Sequence, residues 1–227
     1  MGYSMIFNYS IILITLFITI GSSAYIKHTY IKTKKIESKK NMNGFDTARK
    51  ILDKNDLKNV TIDEVPVDLS DHYDPRSKVV SISTDVYRKP SLASISVAAH
   101  ECGHALQDKE GYLFLTIRRK IVPVVNFAST LGYVAIMIGL FAGLLNFLWL
   151  GILLEVVILV FQLITLPVEF NASHRALIQI QELGIIEEDE LKDCKKMLRA
   201  AALTYVASVA TSILEILRLI MIARRDD

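Results

Sequence analysis

Apolar residues are not spread evenly along this chain. They gather into three long runs separated by stretches that read as water-soluble. The first run, Ile6 to Ile26, is long enough to cross a ~30 Å hydrocarbon core as a helix. No lysine or arginine precedes it, whereas Lys27, Lys32, Lys34, Lys35, Lys39 and Lys40 crowd just after it. A secretory leader carries its positive charge ahead of the apolar stretch. Residues 1–26 therefore read as a retained anchor, although Ser22, Ser23 and Ala24 mimic a cleavage site. The positive-inside tendency then makes the lysine-rich side cytoplasmic.

The second run, residues 121–168, is too long for one crossing and predicts a hairpin of two, turning near Asn146. Arg118, Arg119 and Lys120 hold its entry on the lysine side and no charge marks the far turn, so the hairpin returns to the side it left. Glu155 and Gln162 fall inside the second crossing, where such groups are expensive. Glu155 is either functional, or it is protonated or faces Asn126 or Ser129 within the bundle. The third run, Ala200 to Ile222, carries Glu215 and Arg218 at a spacing where opposite charges meet on a helix. If residues 200–227 span, Arg224 and Arg225 finish outside against the usual bias; if they pack shallowly, both stay inside. The length and hydropathy of the run favour a fourth span.

Between the first two runs, residues 27–120 alternate in a soluble pattern. Phe45, Ala48, Ile51, Leu52 and Leu57 lie on one face of a short helix. "VTIDEV" (Val60 to Val65) and "KVVSIS" (Lys78 to Ser83) read as a pair of strands, with turn chemistry in the intervening "DHYDPRS". Pro90 and Ser91 then open a helix that runs to about Asp108. After the hairpin, residues 169–199 predict a helix, a turn at Gly184 and another helix.

Composition agrees with this division. Of 227 residues, 52% are hydrophobic, and a net charge of only +2 makes nucleic acid an unpromising partner. A lipid bilayer is the partner the pattern demands. Two cysteines, Cys102 and Cys194, are too few for a disulfide framework, so a reduced compartment is the simpler reading.

Chemistry concentrates in "SVAAHECGHALQD", Ser96 to Asp108, on the helix just described. Residues four apart share a helix face, so His100 and His104 can reach one ion. Catalytic zinc takes three protein ligands and leaves a position for water, and Glu101 is placed to take a proton from that water. Cys102 points away from the histidine face and reads as a buried filler. Gly103 costs a helix roughly 1 kcal/mol relative to alanine and is better explained by close approach of a neighbour. A third ligand must come from elsewhere, and Glu169, His174, Asp71, His72 and Asp74 are the candidates. Glu169 is best placed, because the hairpin returns it to the side of His100 and His104, with Pro167 at a helix start and the carboxylate in the first turn. His174 lies roughly 140° around the same helix, so the two do not share an ion. For oxyanion stabilisation His174, Arg175 and Tyr73 are open alternatives, and Val79 to Ser83 offers an edge to which a peptide could add.

"DHYDPRSKVVSIS", "SVAAHECGHALQ" and "LPVEFNASHRAL", with the anchor and the last apolar run, closely resemble the YugP-like family of bacterial membrane zinc metallopeptidases. More distantly the chain is similar to the HtpX and CAAX-prenyl-protease gluzincins, where a glutamate ligand follows H-E-x-x-H after a membrane hairpin. Ser173 stands where that class has aspartate. The resemblance implies zinc held by His100, His104 and Glu169, with Glu101 as general base. It also implies a mainly α membrane protein, in which a zincin-like cytoplasmic part (a small β-sheet plus the H-E-x-x-H helix) is fused to about four transmembrane helices. A peptide or protein substrate follows from it. The rival expectation is a zinc-stabilised, non-catalytic membrane scaffold or chaperone-like partner.

Overall fold

The computed structural model describes residues 2–67 and 69–224, so Arg225 lies outside the described residues. In chain order the elements are α1 (Gly2–Lys34), α2 (Gly44–Lys54), β1 (Thr61–Val65), β2 (His72–Asp74), β3 (Val79–Ser83) and α3 (Thr84–Arg88). They continue with α4 (Leu92–Lys109), α5 (Leu113–Ala142), α6 (Leu145–Glu182) and α7 (Leu191–Ala223). Four of the helices, α1, α5, α6 and α7, are long and apolar enough to cross a membrane. The chain is therefore a mainly helical, multi-pass membrane protein with one small sheet, and the last apolar run is among its four candidate spans. It divides into two compact units.

One unit comprises Met1–Ser23, Thr116–Leu166 and Thr204–Asp227. Large apolar side chains such as Phe127 (68% exposed) and Phe141 (81% exposed) point outward, as a lipid solvent requires. Small residues let α5 and α6 approach: a Cβ on Gly139 would meet the Leu148 nitrogen at 2.7 Å, and one on Gly151 the Ile136 side chain at 2.4 Å. The hairpin turns near Asn146 as expected, at Gly143, whose φ of +66° favours glycine, and Asn146 belongs to the first turn of α6. The charges of the last run pair as their spacing predicts, with Arg218 Nε donating to Glu215 Oε2 at 2.8 Å.

The other unit, Ala24–Leu115 with Pro167–Leu203, holds the larger core. Asn43 caps α2 by accepting from the Asp46 N–H at 2.8 Å, and Ala48, Ile51 and Leu52 bury its apolar face as the periodicity predicts. The two predicted strands form, but as a parallel pair in register Thr61↔Val79 to Val65↔Ser83. "DHYDPRS" is more than a turn: His72–Asp74 form β2, antiparallel to β3, giving the order β1-β3-β2. This corrects the expectation that Val79–Ser83 is an open edge, because both sides of β3 are already paired. Its burial on both faces explains why "VVSIS" does not alternate.

Ser91 caps α4 by accepting from the Ser94 N–H at 3.1 Å. The helix is then buried nearly all round, with Ala98, Ala99, Cys102 and Ala105 at 1% exposure or less. Such a helix serves as the centre of its unit. Helix α6 does not begin at Pro167: it passes through Pro167 without a break, so Glu169 sits in the body of a long helix and not in a first turn.

Candidate metal centre

Two helices bring the predicted residues together. On α4 the four-residue spacing stacks the rings of His100 and His104 edge to face, with centroids 4.8 Å apart. From α6, Glu169 reaches between them: its Oε2 lies 3.3 Å from His100 Nε2 and 3.6 Å from His104 Nε2. The approach depends on Gly103, where a Cβ would sit 2.5 Å from the Ala172 carbonyl oxygen of α6. Close approach thus explains the glycine, as the sequence suggests. Cys102 faces the other way, its thiol 3.7 Å from the Ala48 carbonyl on α2.

Among the described residues, His100, His104 and Glu169 form the one cluster of three metal-capable side chains, with donor atoms all within 4.8 Å of one another. Donors about 2.0–2.1 Å from zinc at tetrahedral corners lie about 3.3–3.4 Å apart, close to the 3.3 and 3.6 Å between Glu169 Oε2 and the two imidazole nitrogens. Charge points the same way. Glu169 is 2% exposed and Glu101 is 7% exposed, so two buried carboxyl groups stand beside the two imidazoles, a setting that favours a bound cation. The donor set therefore fits zinc.

The titration of these groups follows from that crowding. Burial pushes the Glu101 carboxyl above its ordinary range; the imidazoles of His100 and His104 oppose this, while Glu169 and Asp71 add to it. For His104 burial disfavours the imidazolium, but the carboxylates of Glu169 and Glu101 outweigh it and raise the value. Glu169 lies beyond the apolar stretch of α6. Its burial opposes ionisation, yet hydrogen bonds from His100 and His104 hold it well below the usual carboxylate range.

The remaining candidates lie outside this cluster. Asp71 Oδ1 accepts the Ser83 N–H at 2.7 Å, and Asp74 accepts from Arg76 and Ser77 in its own turn. His72 is exposed with Nδ1 2.8 Å from the Ser70 carbonyl, and His174 is exposed. The Tyr73 hydroxyl donates to Asp108 Oδ2 at 2.9 Å. Arg175 spends its guanidinium on Glu110 Oε1 and Oε2 at 2.6 and 2.7 Å.

Two supporting contacts emerge. Ser173 Oγ lies 3.2 Å from His100 Nδ1, so this serine meets one of the candidate ligand imidazoles. Gln107, fully buried, places Oε1 3.0 Å from His104 Nδ1, a contact that sequence reading missed. Its signal was available: Gln107 follows His104 by three and shares its helix face.

Fold and site together define a membrane protein with a candidate metal centre of the two-histidine, one-carboxylate type. The sequence places it further. Residues 8–224 match the family described as "Putative neutral zinc metallopeptidase", and the chain belongs to that family. It is 48% identical over 197 residues to the "Putative membrane protease YugP" of Bacillus subtilis (strain 168), covering 87% of this chain and 88% of the relative. No solved structure matches it.

Proposed function

We propose that this chain is a membrane-bound zinc metalloendopeptidase of the gluzincin type, with His100, His104 and Glu169 as zinc ligands and Glu101 as general base. One observation carries the reading: Glu169, sixty-five residues beyond His104, sets a carboxylate oxygen within 3.3 and 3.6 Å of the two Nε2 atoms. Zinc at such a site supplies an acidified water and a charge that polarises the scissile carbonyl. The Glu101 carboxylate accepts the proton that this water loses on attacking the carbonyl carbon, and returns it to the amine nitrogen as the C–N bond breaks. Burial raises the proton affinity of Glu101, which suits a base that must also act as an acid. Structural zinc sites usually close all four positions with protein ligands, whereas three donors beside a carboxylate suit catalysis.

In this reading residues 1–26, 121–168 and 200–227 serve the membrane, while residues 27–120 and 169–199 carry the chemistry on the cytoplasmic side. The lysines at the end of α1 and just beyond it support that orientation. The family and the name of the Bacillus relative support peptide hydrolysis. Glu101→Gln tests it with an unfolded protein as substrate. Loss of cleavage with zinc retained is expected; undiminished cleavage overturns the role of Glu101, and a zinc-loaded parent that cuts nothing favours the scaffold.

A further inference from the structure

The geometry points to a directional hydrogen-bond relay, running from Glu110 through Arg175, Asn171 and Gln107 to His104, that fixes which nitrogen of His104 faces the metal. The inference rests on the zinc reading above and concerns positioning residues that touch neither metal nor substrate.

Each link is forced by what its groups are able to give. The Glu110 carboxylate only accepts and the Arg175 guanidinium only donates, and they pair through two bonds of 2.6 and 2.7 Å. Arg175 Nε donates onward to Asn171 Oδ1 at 2.7 Å, so the Asn171 oxygen must face this way. That same oxygen accepts from Gln107 Nε2 at 2.9 Å. A second acceptor, the Val168 carbonyl at 2.8 Å, takes the other Gln107 N–H. Both protons of the Gln107 amide are therefore committed, and its Oε1 is left to face His104 Nδ1 at 3.0 Å. An oxygen there accepts only, so Nδ1 must carry the proton. Nε2, 3.6 Å from Glu169 Oε2, is thereby the nitrogen left to offer its lone pair to a metal ion.

Packing makes the relay rigid. Gln107 is fully buried, so a flipped amide would set its oxygen against the Val168 and Asn171 oxygens, two acceptors facing a third. Asn171 and Arg175 are one helical turn apart on α6, and Gln107 follows His104 by three on α4. The partner imidazole is held differently. His100 Nδ1 meets the Ser173 hydroxyl, which both donates and accepts, so nothing there selects a tautomer. The site thus pairs one imidazole of fixed orientation with one that can adjust.

The test uses the full chain in detergent, stripped of metal and titrated with zinc ion against a chelator. Gln107→Leu should weaken zinc binding about 10- to 100-fold, the usual effect of losing such support. Arg175→Gln, remote from the ion, should weaken it several-fold, and the double variant should bind no worse than Gln107→Leu alone, because the two act in one chain. With 15N-histidine, the His104 Nδ1 proton of the zinc-loaded parent should resonate as a hydrogen-bonded proton, and Arg175→Gln should shift it. If Gln107→Leu fails to fold, Arg175→Gln and its proton shift decide alone. Folded variants that bind zinc as tightly as the parent, or losses that simply add, overturn the relay while leaving the zinc reading intact. A parent that binds no zinc overturns that reading instead.

Discussion

Replacing Gly103 with alanine should separate metal binding from stability. The added Cβ would stand 2.5 Å from the Ala172 carbonyl oxygen, 3.0 Å from its carbon and 3.1 Å from its Cα, all backbone atoms that cannot rotate away. Moving from 2.5 Å to ordinary contact at 3.4 Å requires α4 and α6 to part by about 0.9 Å. Gly103 adjoins His104, and Ala172 lies between Glu169 and Ser173, so the parting falls directly on the donors. Zinc tolerates displacements of only about 0.2 Å in its bond lengths. Overpacking costs about 1–3 kcal/mol, while alanine returns about 1 kcal/mol of helix propensity, so the metal-free protein should lose at most about 2 kcal/mol. Zinc affinity, in contrast, should fall at least about tenfold, as with other disturbances close to a ligand shell. Chelator competition in detergent measures the affinity, and thermal unfolding of the stripped protein measures stability. Gly21→Ala, where nothing lies within 4 Å, is the control and should change neither for the worse. A Gly103→Ala protein that binds zinc like the parent would refute the close-approach argument.

Two further substitutions have definite expected outcomes. Ser173→Ala removes the hydroxyl 3.2 Å from His100 Nδ1 and should weaken zinc binding about tenfold, measured by the same competition; equal affinity would mean that the hydroxyl supports nothing. Asp85→Asn should cost about 1 kcal/mol at pH 7, since Asp85 pairs with Lys34 and, at 2.8 Å, with Lys89 while only partly exposed. Hydrogen bonds from Lys34 and then Lys89 lower the folded-state pKa of Asp85, so its contribution is complete above the unfolded value near about 3.9. That contribution disappears as pH falls through the lower, folded value. The Tm deficit of Asp85→Asn should therefore close in acid, and a deficit that persists there would contradict the linkage.

The sequence made much of this legible for physical reasons that differ from residue to residue. A four-residue spacing can only mean a shared helix face, so His100 and His104 required no tertiary information. Glu169 was singled out through topology, because a hairpin with an uncharged far turn is expected to return to its side of origin, and the structure sets it beside His100 and His104. Strand β2 was hidden because Asp74 and Pro75 advertise a turn, and the turn exists: Asp74 accepts from Arg76 and Ser77 while β3 recruits the three residues before Pro75. Pro167 suggested a helix start, since proline removes a backbone donor. A long transmembrane helix absorbs that loss when its neighbours satisfy the freed groups, and α6 runs on. Gln107 gave a weak signal for another reason. An amide on a helix reads as an ordinary polar residue until both its donors are seen to be occupied and its oxygen is left for an imidazole.

In the proposed function one carboxylate from α6 joins two imidazoles from α4 around zinc. Metal content of the detergent-purified protein, parent against Glu169→Ala, measures it most directly. About one zinc per chain is expected in the parent, as for other single catalytic sites, and a large loss in the variant. Full zinc retained by Glu169→Ala would contradict it.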